Sequence, residues 1–309
     1  MAGFSKEIAG VQMTLAGLAY LDSGHSIEAV RKKLNQALSR TDYATAGRWQ
    51  LVWGPVVHGD GDNLMYLAYN PDTTDYSIVL RGTVEEAGSI WEDVPDGQDD
   101  FPYLTQQGAK VSSHFLEAQK ALLCARDDRL MVTLGEYLGN RAKAKRVYVT
   151  GHSQGAGLVS MFQAWFDHVN RSIGLGAEAA GYAFAPPTAG NPTFAAGVGA
   201  LKNYYAVINP LDVVPFGYAD IKRLISDKVP DAVPVELEPL IYAAAEEVSA
   251  VGAWQHPSTV VSLAKVQLPA NIGYLDQIAA QHNHNSYLYL LGAPQTDGSP
   301  SILPKYQSE

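Results

Sequence analysis

The feature of this sequence that most constrains its fold is the run Val-Tyr-Val-Thr-Gly-His-Ser-Gln-Gly-Ala-Gly at residues 147–157. Its first three residues predict a strand that is buried on both faces, and the apolar spacing from Leu158 to Trp165 predicts a helix. Between them lies a G-x-S-x-G pentapeptide centred on Ser153. This order of strand, tight turn and helix is typical of a nucleophile elbow, in which the glycines leave room for a strained turn.

Three fixed positions alone would be weak evidence, because glycine and serine are common residues. The buried strand before the pentapeptide and the periodic helix after it are two independent requirements, and the chain meets both. We therefore interpret Ser153 as a nucleophile. We expect His152 to pack against the elbow and not to act as the base, because its ring would point away from Ser153.

Apolar periodicity elsewhere predicts an α/β fold with a mostly parallel central sheet and helices on both faces. The apolar runs are at 78–80, 147–149 and 204–208, the helical stripes between them are at 111–122 and 158–165, and an antiparallel strand pair precedes them at 49–53 and 64–68. We expect a single domain of residues 1–309. A further helical stripe at 236–251 fits either ordinary core or a cap over a site, and we expect residues 218–270 to be an insertion with cap helices.

Charge and composition exclude several classes of function. The 309 residues carry a formal net charge of −10 without the basic stripe that nucleic-acid binding requires. The single cysteine, Cys124, cannot form an intrachain disulfide or a thiolate zinc cluster. No apolar run is long enough to span a membrane, and the N-terminal apolar residues have the spacing of an amphipathic helix and not of a signal peptide. The sequence leaves the compartment unknown, with a cytoplasmic protein and a processed or non-classically secreted form as the options.

A serine nucleophile in this setting needs an acid and then a histidine later in the chain. Asp212 directly follows the predicted strand 204–208, at the carboxyl end of the sheet, where the sites of open α/β folds gather. The histidines after Ser153 are His168, His256, His282 and His284. His168 falls late on the helix that begins at the elbow, too far along it to reach Ser153. The other three histidines remain candidates for the base.

Five separated segments of the chain resemble the class 3 lipase family, the α/β hydrolases related to fungal triacylglycerol lipases. They are Val79-Leu80-Arg81-Gly82-Thr83 with Trp91 and Asp93, then residues 149–156, 184–191 and 209–215, and finally His284-Asn285-Ser286-Tyr287. Together they span residues 79–287, about two thirds of the chain, in the family's order. The resemblance implies the α/β-hydrolase fold, serine ester hydrolysis, and no cofactor or metal.

The resemblance also implies a role for each matching position. Ser153 would be the nucleophile, Asp212 the acid and His284 the base, since the family's last motif is His, two residues, Tyr. Thr83, through its amide and hydroxyl, and Gln154, through its amide, would form the oxyanion hole. We expect Arg81 to tie its loop to neighbouring carbonyls or carboxylates and not to touch substrate.

His282 is the rival base, two residues before His284. On a continuous helix the two side chains would point about 200° apart, so only one could reach Ser153. The chain also departs from the family in two places. It has Ser-Ser-His-Phe after Val111 where the family has His-x-Gly-Phe, and 71 residues separate Asp212 from His284, more than we expect of the fungal enzymes.

In family members the segment after the oxyanion residue is a lid that contains a Trp. Here the lid would be residues 84–104, with Ile90, Trp91 and Val94 on one helical face toward the substrate. The segment contains seven acidic residues and no Lys or Arg. It lacks the ligand spacing of a calcium loop, and an acidic rim would favour neutral esters over anionic phospholipids.

The sequence therefore predicts a serine carboxylic-ester hydrolase that cleaves neutral acyl esters such as acylglycerols through an acyl-enzyme, at a lipid–water interface if the lid opens there. Feruloyl esterase and phospholipase A1 activities are alternatives at the same site. A catalytically silent binding protein on the same fold is an alternative of another class, but every predicted triad and oxyanion position is intact. No nucleotide-binding motif of the P-loop or Rossmann type is found.

Overall fold

The computed structural model describes residues 3–21, 26–58, 63–82, 97–140 and 144–306. The helices are α1 Lys6–Leu18, α2 Ile27–Leu38, α3 Ser113–Cys124, α4 Leu134–Gly139, α5 Gln154–Ile173, α6 Pro192–Gly199, α7 Arg223–Ser226, α8 Glu238–Val251, α9 Tyr274–His282 and α10 His284–Leu291. The strands are β1 Gln50–His58, β2 Asn63–Asn70, β3 Asp75–Arg81, β4 Gln98–Asp100, β5 Lys110–Ser112, β6 Arg146–His152, β7 Glu178–Phe184, β8 Tyr204–Ile208 and β9 Val260–Ser262.

Seven of the strands form one sheet in the order β1-β2-β3-β6-β7-β8-β9. The first three are antiparallel neighbours, and every pairing from β3 to β9 is parallel. Strands β4 and β5 form a separate antiparallel ribbon. The expected α/β-hydrolase fold, with a mostly parallel sheet and an antiparallel entry, is confirmed.

Two strands of this sheet were not predicted from the sequence. Strand β7 is rich in alanine and contains Gly181, where a Cβ atom would lie 2.3 Å from Oε1 of Gln163 and 2.9 Å from the ring of Tyr204. Small residues are thus required in the middle of the sheet, and they weaken the apolar signal. Strand β9 is three residues long and none of its residues is fully buried. Residues 218–270 therefore supply an edge strand to the main sheet in addition to α7 and α8.

The first helix is more deeply buried than its amphipathic spacing suggests. Nine residues of α1 are buried because the helix packs between β6 and α10. Two hydrogen bonds also connect the helix to β3 and β2: Ser77 Oγ donates to Oε1 of Gln12 at 2.7 Å, and the hydroxyl of Tyr66 donates to the carbonyl of Leu15 at 2.6 Å. This position puts the carboxyl end of α1 beside the candidate site.

A smaller apolar cluster lies beside the main core and contains residues from 213 to 278. Helix α8 contributes Ile241 and Val248 to it, in agreement with the predicted stripe, whereas Leu240 of that stripe is 61% exposed. Helix α9 contributes Ile278. Among the residues that the structure describes, no helix is both long enough and apolar enough to cross a bilayer.

Candidate active site

Ser153 stands in a strained turn between β6 and α5. Its φ of 58° and ψ of −134° are unfavourable for a residue with a side chain. A Cβ atom at Gly151 would lie 2.5 Å from the carbonyl oxygen of Gly155, and one at Gly155 would lie 2.6 Å from that of Leu80. Both glycines are therefore needed for the turn to form, as the nucleophile-elbow interpretation predicts.

A continuous chain of hydrogen bonds connects Ser153 to a buried carboxylate through His282. Nε2 of His282 is 2.8 Å from Oγ of Ser153. Nδ1 of the same ring is 2.9 Å from Oδ2 and 3.1 Å from Oδ1 of Asp212. When Nδ1–H donates to the carboxylate, Nε2 has a free lone pair for the serine hydroxyl. This arrangement allows the imidazole to accept a proton from Ser153.

The expectation that His284 reaches Ser153 is wrong. Its Nε2 is 3.1 Å from Oγ1 of Thr296, and its ring stacks on Tyr20 with the ring centroids 6.2 Å apart. The physical reason is a break in the helix at Asn283, whose extended ψ of 131° ends α9 and whose side chain caps α10. The two histidines thus belong to different helices, and only His282 faces the elbow.

Asp212 is fully buried and is held by groups from three elements. Its Oδ1 accepts a hydrogen bond from the amide of Val214 at 3.0 Å, and its Oδ2 accepts one from the hydroxyl of Tyr287 at 2.8 Å. The same hydroxyl accepts from the amide of Asn209 at 3.1 Å. Burial next to Asp212 keeps the pKa of Tyr287 well above its ordinary value, so the phenol stays a donor.

Some groups that support this acid were missed at the sequence level. Nδ2 of Asn209 donates to the backbone and side-chain oxygens of Gln281 at 2.9 and 2.8 Å, which connects the loop after β8 to the end of α9. Tyr287 was visible only as the last residue of the family motif. No local pattern predicts which polar group such residues meet, because their partners are more than 70 positions away in the chain.

His152 has the packing role that the sequence predicts. It is buried, and its ring centroid lies 4.7 Å from that of His282. Burial and the neighbouring His282 lower the pKa of His152 well below its ordinary value, so this imidazole is neutral at neutral pH. The hydroxyl of Tyr20 donates to its carbonyl at 3.0 Å and ties the end of α1 to the elbow.

The second residue of the predicted oxyanion hole begins α5. Gln154 is the first residue of that helix, where backbone amides have no partner within the helix. Gly82 lies against it so closely that a Cβ atom at Gly82 would be 2.3 Å from that of Gln154. Nη1 of Arg81 donates to the carbonyl of Ala19 at 3.2 Å, which confirms the predicted tie.

Some predicted site residues lie outside the described part of the chain. They are Thr83, Ile90, Trp91 and Val94. The second oxyanion donor and the lid therefore stay predictions. Of the predicted lid, residues 97–104 are described, and they contain β4. The departure from the family sequence after Val111 places His114 next to the elbow, with Nε2 2.9 Å from Nε2 of Gln154.

Within the same described ranges, no group of three or more His, Cys, Asp or Glu side chains is arranged to hold a metal ion.

Neutral buried imidazoles make the free energy of unfolding depend on pH. Burial lowers the pKa of His284 to about 4, against about 6.5 in an unfolded chain. The unfolded state therefore binds the proton first, and the stabilisation that is complete above pH 6.5 is lost as the pH falls toward 4. We expect wild type to lose up to about 1.4 kcal/mol per pH unit more than His284→Gln in this window.

Urea unfolding of both proteins at pH 7.5, 6.5, 5.5 and 4.5 measures this difference. The comparison between the two proteins is needed because burial raises the pKa of Asp167 to about 6, which acts in the opposite direction in both of them. Equal pH dependence of the two proteins would mean that His284 is not held as a neutral group in the folded state.

Comparison with known proteins gives one family match and several structures of similar fold. Residues 77–220 match the family model described as lipase (class 3). The fold is similar to the crystal structure of M37 lipase, with a TM-score of 0.80 and 24% identity, covering 94% of this chain and 93% of that one. No curated protein sequence matches the chain.

Two fungal structures are more distant. A propeptide complex of Rhizomucor miehei lipase has a TM-score of 0.57 and 18% identity, covering 91% of this chain and 81% of that one. A triacylglycerol lipase from Penicillium expansum has a TM-score of 0.52 and 14% identity, covering 85% and 82%. At these sequence identities the solved structures show only that the fold is shared. The match to the family model is the evidence that bears on the class of activity.

Proposed function

We propose that this chain, whose residues 77–220 match the class 3 lipase model, hydrolyses carboxylic esters with Ser153 as nucleophile, His282 as base and Asp212 as acid. The observation that carries the proposal is the unbroken hydrogen-bonded series from the strained serine through one imidazole to a buried carboxylate. The family match supports ester hydrolysis as the class of activity.

In the proposed mechanism the proton of Ser153 moves to Nε2 of His282 as Oγ attacks the ester carbonyl carbon. Asp212 stabilises the imidazolium and keeps its Nδ1 proton in place. The tetrahedral oxyanion would be held by the amide of Gln154 and by Thr83. Collapse of the intermediate expels the alcohol, which takes the proton from Nε2, and water then repeats the sequence on the acyl-enzyme.

Neutral acyl esters such as acylglycerols are the substrate class that we favour. The seven acidic residues between 84 and 104 would repel an anionic lipid surface. We retain this segment as the proposed lid, with Ile90, Trp91 and Val94 facing the substrate. Phospholipase A1 and feruloyl esterase activities are tested beside it, because the same nucleophile would serve each of them.

Labelling and hydrolysis together test the proposal. We expect the protein to hydrolyse p-nitrophenyl butyrate, and an alkyl p-nitrophenyl phosphonate to stop the reaction by forming one adduct on the peptide that contains Ser153. Ser153→Ala should be inactive and unlabelled. Release of fatty acid from emulsified tributyrin and from phosphatidylcholine, and release of ferulic acid from methyl ferulate, then rank the substrate classes. An unlabelled Ser153 in a folded protein that hydrolyses none of these esters would contradict the proposal.

A further inference from the structure

A short segment after α8 is hydrogen-bonded to β4 and to the loop after β7. We call residues 252–256 the strap. Its Ala253 carbonyl accepts a hydrogen bond from Nε2 of Gln98 in β4 at 2.9 Å. The amide of Gln255 donates to the carbonyl of Gly190, in the loop after β7, at 3.1 Å. The strap is thus hydrogen-bonded to two elements that are far apart in sequence.

The end of the strap holds two further loops through one imidazole. Nε2 of His256 is 3.1 Å from Oγ1 of Thr188 and hydrogen-bonds the carbonyl of Pro215. Pro215 follows Asp212 by three residues. Burial lowers the pKa of His256, so the ring stays neutral and its Nε2–H can donate to that carbonyl. The strap is therefore fixed relative to the loop that carries the proposed acid.

A row of aromatic side chains runs from the elbow helix to the strap. Phe115 packs on α5 at Gly157, where a Cβ atom would be 2.8 Å from its ring, one helical turn beyond Ser153. The ring of Tyr218 is 6.4 Å from that of Phe115, and the ring of Trp254 is 5.0 Å from that of Tyr218.

The outer two rings of this row pack against apolar clusters and keep part of their surface exposed. Tyr218 packs against both the main core and the smaller cluster, and Trp254 packs against the smaller one; both stay partly exposed. The indole N–H of Trp254 donates to the carbonyl of Val248 at 3.3 Å, which fixes the ring plane. A rigid, partly exposed aromatic surface that is connected to the helix of the proposed nucleophile through Phe115 suits an alkyl chain, because burying apolar area is favourable and little side-chain freedom is lost.

We propose that Tyr218 and Trp254, held by the strap, form the wall against which the acyl chain of the ester lies. The inference rests on the proposed ester hydrolysis and assigns it a chain-length preference. Residues 218–270 thereby acquire a role in specificity, since both rings come from this segment. A short acyl group bound at Ser153 would not extend to these rings, whereas a long one would.

The test is a chain-length profile of kcat/KM on p-nitrophenyl esters from acetate to decanoate, below their solubility limits. We expect Tyr218→Leu and Trp254→Leu each to lower the decanoate-to-acetate ratio at least about tenfold, with acetate hydrolysis nearly unchanged. Leucine keeps the sites apolar and so protects the fold. Tyr242→Leu is the matched control, because Tyr242 lies in the same segment and is 46% exposed on α8; its ratio should equal that of wild type.

Phosphonate titration counts active sites in each variant, so that a loss of folded protein is not mistaken for a loss of preference. An unchanged ratio in both wall variants would overturn the inference and leave the proposed hydrolysis standing. An equal loss on every ester would also overturn it, because it would mean that these rings only position the catalytic loops. A wild type that hydrolyses no ester would remove the proposed function, and this inference with it.

Discussion

His282→Ala should lower kcat by roughly 10⁴- to 10⁶-fold on any ester that the protein cleaves. Its imidazole contacts both Oγ of Ser153 and the carboxylate of Asp212, which no other histidine in the described ranges does. His284→Gln should keep kcat within about tenfold of wild type, because that ring bonds to Thr296 and stacks on Tyr20. Burst-phase kinetics with a p-nitrophenyl ester measure both variants on the same scale.

The double variant Ser153→Ala with His282→Ala provides a second check. Nucleophile and base act as one unit, so the double change should cost little more than either single change. Losses that multiply would mean that the two residues act independently. If His284→Gln were inactive and His282→Ala active, His284 would be the base. That result would contradict the observed geometry.

Asp212→Asn should lower kcat by roughly 10³- to 10⁴-fold while KM changes little. The carboxylate accepts a hydrogen bond from Nδ1–H of His282 and would stabilise the imidazolium that forms in the transition state. An amide of the same shape can turn its NH₂ toward Nδ1, which leaves the proton on Nε2 and removes the lone pair that Ser153 needs. The expected effect is therefore on the chemical step and not on substrate binding.

Tyr287→Phe is the matched control for this variant. It removes the hydrogen bond to Asp212 and the one that the hydroxyl accepts from the amide of Asn209. The carboxylate, its bond from Val214 and its contact with His282 stay in place. We expect a loss of about tenfold or less in kcat, the size of one buried hydrogen bond. If Asp212→Asn retained a near-native rate, or if Tyr287→Phe were as damaging as Asp212→Asn, then Asp212 would not be the orienting acid.

The sequence by itself determined the elements whose signals are local. The strand, the glycines and the helix around Ser153 follow one another in the chain. Eleven residues therefore contain everything that the turn requires sterically. The position of Asp212 could be predicted for the same reason. The end of a buried strand determines at which edge of the sheet the residues after it lie. Two of the five parallel strands were not visible in the sequence: β7 is too rich in alanine and β9 too short for their apolar patterns to stand out.

Only the tertiary structure decided which histidine faces Ser153. His282 and His284 are both polar residues in the same short stretch, and the family motif His-x-x-Tyr fits the second of them. The choice depends on the turn at Asn283 and on the packing of α10 against α1, where Gly17 lets the ring of His284 approach. Such contacts join residues more than 260 positions apart, and their energies depend on shape complementarity that no local pattern encodes.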